Sequence, residues 1–362
     1  MTESRFLKRL CFLGLAGNRI EGEGLELLEE SELSLKELDL YDNELRNGGA
    51  EALSRCSLKK LRSLNLRGNL VGPHGVAMLV VSPLVSTLRH LDLSRNALGP
   101  GGAASLAVSK YFSRLRTLAL AQNNLGRQGL QLLLTSSGLN AVEELDISSN
   151  SLGPNGAMAL ASSSMARRLK SLDVSDNEIE DAGLAGLLGT PQLAGLSQLA
   201  VAQNSLTPSG IGLFDGVAMQ VEGLDISHNE LGERGGALLA GAMARIRVRK
   251  LRLQGTGLSG SELASIVQNG AGCLTALDAS ENDMDSVGMD QLSRSPELRS
   301  VQHLVLNRTC TGPQGIISLM SSPYLMNLQS LEFNANNVGD RGVVEMASSS
   351  GLISLEELSL QD

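Results

Sequence analysis

Apolar and polar positions along the chain fall into one repeating phrase, L-x-x-L-x-L-x-x-N-x-L, followed by x-x-x-G. Its middle leucine is Leu13, Leu38, Leu64, Leu91, Leu118, Leu145, Leu172, Leu199, Leu224, Leu251, Leu277, Leu304, Leu331 and Leu358, so the period is 25 to 27 residues. Holding one register for fourteen cycles is beyond chance, and the usual link between length and domain number gives way to a stack in which each unit needs only its neighbours. The alternation in L-x-L predicts a short strand with one buried face. After the glycine, apolar residues return at helical spacing, as with Gly156, Leu160 and Ser164. Each unit therefore reads strand, turn, helix, return. The expected fold is an α/β solenoid forming a single domain over residues 1–362, with thirteen full repeats and a last one incomplete at 355–362. Parallel strands sit ~4.8 Å apart whereas packed helices need ~8–10 Å, so a horseshoe or arc is expected, strands concave and helices convex.

Individual columns have separate tasks. Pro73, Pro100, Pro154, Pro208 and Pro313 stand where a helix begins and a missing N–H is harmless. Two residues on come Gly75, Gly102, Gly156, Gly210 and Gly315, which suit a tight approach of backbone. Asn18, Asn43, Asn69, Asn96, Asn123, Asn150, Asn177, Asn204, Asn229, Asn282 and Asn336 form a column able to donate and accept at once, and so to satisfy turn backbone. Thr256 and Thr309 interrupt it, and the tenth and twelfth repeats should be looser. The serine patches 162–164 and 348–350 hold a constant offset from the middle leucine, which makes them helix ends and not linkers.

These units resemble the ribonuclease-inhibitor type of leucine-rich repeat, found also in Ran GTPase-activating proteins, NOD-like receptor sensor domains and bacterial repeat proteins. The resemblance spans essentially the whole chain and speaks more strongly for fold than for function. It implies a non-catalytic module that binds a partner protein. The Ran GTPase-activating relatives imply an alternative, a regulatory role on a small GTPase, but their acting surface has no residue-by-residue counterpart here. Small-residue helices such as GALLAGA and GAMALASS, in slightly short repeats, suggest bacterial variants and a third reading, an effector-type adaptor.

Composition narrows the classes. The chain is 42% apolar but 2% aromatic with no Trp, so the core is layered and aliphatic. A net charge of −9 argues against nucleic acid as partner. Cys11, Cys56, Cys273 and Cys310 have neither zinc-ligand nor disulfide spacing, and no metal or cofactor is expected. KRLCFLGLAG (8–17) imitates a signal peptide, yet Leu10, Leu13, Leu15, Asn18 and Ile20 keep the repeat register. No apolar run approaches the ~20 residues of a membrane span, and a cytoplasmic setting is expected.

The residue between the two strand leucines should face the concavity. That column reads Gly14, Asp39, Asn65, Asp92, Ala119, Asp146, Asp173, Ala200, Asp225, Arg252, Asp278, Val305, Glu332, Ser359, of which seven are acidic. It is either a docking strip for a basic partner or an ordinary solvated answer for that position. Asp146 and Asp173 alone put two carboxylates side by side, the makings of a hydrolase pair or weak cation site, but an open strip gives no water-excluding pocket. His90 and His303 share a column eight repeats apart, and His74 and His228 are expected in turns, which rules out a histidine cluster. Basic residues gather at Arg245, Arg247, Arg249, Lys250 and Arg252, and again at Lys59, Lys60, Arg62, Arg67, Arg89 and Arg95. The first group is expected to form local ion pairs or anchor a partner. Phe12 and Tyr41 are the strip's aromatic residues. The candidate contact set is thus Tyr41, Asp39, Asp92, Asp146, Asp173, Asp225, Arg252, Asp278 and Glu332. Thr2 to Lys8 could cover one end of the stack. Leu355, Leu358 and Leu360 lie in a final strand without a helix, where self-association is expected.

Overall fold

The computed structural model describes residues 9–26, 28–29, 33–217, 219–270, 272–349 and 351–361; the suggested cover at 2–8 lies outside them. Two compact units divide the chain, one comprising 1–178 with 190–195, the other 179–189 with 196–362. The first holds strands β1 Phe12–Gly14, β2 Glu37–Asp39, β3 Ser63–Asn65, β4 His90–Asp92, β5 Thr117–Ala119, β6 Glu144–Asp146 and β7 Ser171–Asp173. The second holds β8 Gln198–Ala200, β9 Gln220–Asp225, β10 Arg247–Arg252, β11 Ala276–Asp278, β12 His303–Val305, β13 Ser330–Glu332 and β14 Glu357–Ser359. Within each unit every strand pairs in parallel with the next, middle leucine opposite middle leucine, as Leu64 with Leu91 and Leu277 with Leu304. A helix follows each of the first thirteen strands, so the strand–helix alternation of a solenoid holds throughout.

Thirteen of the fourteen middle leucines are buried; Leu358, on β14, is about half exposed at 47%. The core is aliphatic, its aromatic members among the described residues being Phe112, Phe214 and Phe333. In the helix Gly153–Ala161, Gly156 and Leu160 are buried, but Ser164 lies beyond the helix end and is exposed, contrary to the helical spacing read from the sequence. The serine patches do close helices: Ser162 caps that helix, and Ser349, which caps Gly339–Ser348, donates to Met320 O at 3.1 Å in the preceding repeat. Ser350 is outside the described residues.

The asparagine column joins turn to turn. Asn150 is typical: its Nδ2 reaches Leu120 O (2.9 Å), Ile147 O (3.0 Å) and Ser148 O (2.9 Å), while Oδ1 accepts from Asn123 N and Leu125 N, both at 3.1 Å. One amide thus satisfies groups in two successive repeats. It also holds a costly backbone, because the residues on either side of it, Ser149 (φ 54°) and Ser151 (φ 53°), are left-handed without being glycine. The column has exceptions: Asn18 is exposed, and the buried Asn69 Oδ1 has no partner.

Threonine rewires the ladder. The Thr256 hydroxyl lies 2.7 Å from its own Leu253 O, and Leu231 N–H turns to the Thr256 backbone carbonyl at 3.0 Å. Met284 N–H does the same with Thr309 O at 3.1 Å. In that repeat the apolar position after the turn is Thr311, whose buried hydroxyl has no hydrogen-bond partner. The tenth repeat departs further. Where other repeats carry the helix glycine it has Glu262, which closes a capping box with Ser259 at the start of Gly260–Asn269. The glycines elsewhere serve close approach: a Cβ on Gly102 would come within 2.7 Å of Leu98 Cβ.

Three stability predictions follow from this packing. Asn150→Ala strands two buried N–H groups and should cost about 3 kcal/mol in urea unfolding, with Asn150→Thr costing clearly less. Thr311→Val keeps the shape and removes the orphan hydroxyl, so unfolding should require about 1 kcal/mol more. Burial pushes the Cys56 thiol up from 9.0 to about 11. The folded chain then keeps a proton that the unfolded chain loses, and stability should fall as pH rises from about 9 toward 11. At neutral pH, alkylation followed by mass spectrometry should modify the exposed Cys11 and Cys310 in the folded chain and Cys56 only after unfolding.

Candidate functional site

Apart from β14, each three-residue strand buries its central leucine and presents the residues on either side of it outward. The acidic column is therefore where the sequence places it, half-buried along the strand face. Its local chemistry is more definite than solvation. Oδ1 of Asp39, Asp92, Asp146, Asp173, Asp225 and Asp278 accepts the backbone N–H two residues on, at 2.8 to 3.1 Å. Asn65 does the same for Arg67 N at 3.0 Å. Each carboxylate ends its strand in an Asx turn through that oxygen. The signal was present in the sequence as Asp two residues ahead of Ser, in L-D-L-S and its relatives.

The serines that follow build a parallel ladder. Ser94 Oγ accepts from Ala121 N (3.2 Å), Ser227 Oγ from Gln254 N (3.2 Å) and Ser280 Oγ from Asn307 N (3.1 Å). Asn307 and Asn334 continue it, accepting from Asn334 N and Gln361 N. Asp146 and Asp173 face each other in register on β6 and β7, and Asp146 also accepts from the Ser148 hydroxyl at 2.7 Å. Tyr41, whose N–H is the one held by Asp39, is half-buried beyond β2, and Phe12 is exposed at the start of β1.

In the second unit the strip becomes mixed in charge. Arg252 pairs with Asp225 at 3.5 Å, Lys250 with Glu222 at 3.0 Å and Arg245 with Asp215 at 3.4 Å, so three of the five basic residues in that segment meet acids of the preceding repeat. Arg308 meets Glu281 at 3.3 Å, and Asn307 Nδ2 donates to Glu332 at 3.1 Å. Arg252, Asp278 and Glu332 border one hollow of about 800 Å³ over β10 to β14, together with Lys250, His303 and Arg308. The sequence did not single out His303, Asn307 or Arg308 for this place, because hollow and register appear only when strands are laid side by side.

The histidines remain dispersed, with two additions. His74 sits in the first turn of the helix Pro73–Val80, not in a loop, because Pro73 starts that helix. His90 Nδ1 is 2.9 Å from Thr117 Oγ1, which donates to Glu144 at 3.0 Å, a polar chain across three neighbouring strands. Among the described residues no group of three His, Cys, Asp or Glu side chains could hold a metal ion. No described helix is long and apolar enough to cross a membrane.

A family model for leucine-rich repeats matches residues 33–54, 86–107, 140–161, 167–188 and 324–347. Among solved structures, an internalin from Listeria monocytogenes is similar, with 18% identity and TM-score 0.53, over 98% of this chain and 88% of that one. A chain of the yeast Rad7 and Elc1 complex is similar at 19% identity and TM-score 0.55, over 87% of this chain and 75% of that one. At such identities the likeness is one of fold. No curated protein matches the sequence.

If the strip's aspartates act on their turns through Oδ1, neutral Asn should replace them at little cost, whereas Ala should not. Asp92→Asn is expected to unfold within about 0.5 kcal/mol of the parent and Asp92→Ala to lose about 1 kcal/mol, measured in urea.

Proposed function

We propose that the chain, a leucine-rich-repeat protein, is a non-catalytic scaffold that receives a partner protein on its strand face. The observation that carries this reading is the row of carboxylates fixed by their own turns, Asp39, Asp92, Asp146 and Asp173 in the first unit and Asp225 and Asp278 in the second. Fixed acceptors one or two strand spacings of ~4.8 Å apart within each unit suit a basic surface, attracting it electrostatically and selecting its register. The hollow bordered by Arg252, Asp278 and Glu332 adds a place where a protruding side chain can seat, with Tyr41 as an aromatic contact in the first unit. The repeats belong, in this reading, to the ribonuclease-inhibitor class, since a helix follows every full strand repeat. A cytoplasmic setting fits four cysteines of which none is in a disulfide. Leucine-rich-repeat proteins are in general interaction modules, and the yeast structure just described is itself a complex.

The test uses the Asx-turn logic. A variant with all six aspartates changed to Asn keeps the turn acceptors and loses the charge. Captured proteins from the native host, identified by mass spectrometry, should include a partner that binds the parent about tenfold more tightly than the variant, mainly through on-rate. Undiminished capture by the variant would move the binding site off the strand face.

A further inference from the structure

Immediately ahead of the strands runs a column to which neither the fold nor the strand-face reading gives a task. In the first unit it reads Lys36, Arg62, Arg89, Arg116, Glu143 and Lys170, one residue per repeat, with all five cations exposed. Backbone hydrogen bonds lock it in register: Arg62 N donates to Lys36 O (2.7 Å), Arg89 N to Arg62 O (2.7 Å), Arg116 N to Arg89 O (2.8 Å), Glu143 N to Arg116 O (2.8 Å) and Lys170 N to Glu143 O (2.7 Å). Four cations thus stand on consecutive strands ~4.8 Å apart, an arrangement in which like charges repel.

The second unit supplies a comparison inside the same chain. There the corresponding backbone ladder runs from Arg249 through Thr275, Gln302, Gln329 and Glu356, with Gln329 N to Gln302 O and Glu356 N to Gln329 O both at 2.8 Å, so four of these five positions carry no cation. The position therefore requires no cation for folding. In the first unit Glu143 takes Lys170 (2.6 Å) and Arg116 (3.4 Å), whereas Lys36, Arg62 and Arg89 have no ion-pair or side-chain hydrogen-bond partner among the described residues.

We propose that the row Lys36, Arg62, Arg89 and Arg116 is a docking surface for an extended acidic segment of a partner polypeptide. The row spans about 14 Å, the length of four to five residues of extended chain at ~3.3 Å each. On its strand side the row is bordered by Glu37, Ser63, His90 and Thr117, with Asp39 and Asp92 two positions further along. A single extended strand of carboxylates matches a row that offers one cation per repeat. A phosphate backbone would meet Glu37, Asp39 and Asp92 on the strand side, and with 2% aromatic residues the chain has little on which bases could stack. This surface is separate from the acidic strip and does not depend on it.

Fluorescence anisotropy with a labelled ten-residue oligoglutamate peptide tests the proposal on the full chain, against an uncharged Gly-Ser peptide and a ten-nucleotide oligo-dT. The parent should bind oligoglutamate, weakening as salt rises, and the Gly-Ser peptide should not bind. Arg62→Gln with Arg89→Gln should weaken binding about tenfold. Gln already occupies this column at 302 and 329, so the double variant is expected to fold, with a Tm no lower than the parent because repulsion is relieved. Lys36→Gln alone provides a second, milder variant that should weaken binding in the same direction. Equal affinity of parent and double variant, binding insensitive to salt, or tighter binding of oligo-dT than of oligoglutamate would each overturn the proposal.

Discussion

The structure depends on a buried primary amide that belongs to two repeats at once. A turn of this kind is expensive: the residues on either side of the Asn adopt left-handed backbone, as at Ser149 and Ser151, and several peptide groups leave the strand ladder out of reach of water. The Asn side chain has the right inventory, two donors and an acceptor, to serve its own turn and the turn before it. Asn150 does so with five short contacts. Because each amide is satisfied partly by the neighbouring repeat, no unit is self-sufficient, and the period of 25 to 27 residues is enforced by hydrogen bonding as well as by leucine packing.

That dependence explains why variation takes the form it does. At Thr256 and Thr309 a hydroxyl cannot cover the preceding turn, so the backbone carbonyl of the same residue receives Leu231 N–H and Met284 N–H instead. The turn survives with one acceptor doing the service of two. The tenth repeat couples this change to another way of starting its helix, a Ser259–Glu262 capping box in place of the usual glycine. Substitutions that look like decay in the pattern are thus a consistent local alternative.

Much of the architecture was legible because it rests on period. Leucines at fixed offsets give the strands, and the Asn and Gly columns give the turn and the helix packing. The limits of legibility lie in relations between repeats. Asp92 reads as a solvated charge until Ser94 N–H is seen 2.8 Å from its Oδ1, and His90, Thr117 and Glu144 share no motif although they touch in sequence across three strands. His74 reads as a turn residue from sequence because periodicity cannot count so short a helix from its first turn, where Pro73 places it. Charge was legible as a list, but which charges stand alone was not. The Arg252–Asp225 pair and the unpaired Arg62 and Arg89 look alike in sequence, and only the register separates them.

The Asx turns carry a consequence for specificity. A free aspartate samples its rotamers and loses that freedom when a ligand holds it, typically at ~0.5–1.5 kcal/mol for a side chain ordered in an interface. Along this strand face much of that loss has already occurred during folding, since Oδ1 is tethered to a backbone N–H. Within each unit, carboxylates so tethered behave as marks at fixed spacing, four in the first and two in the second. Such a surface discriminates by the spacing of cations brought to it more than by their number.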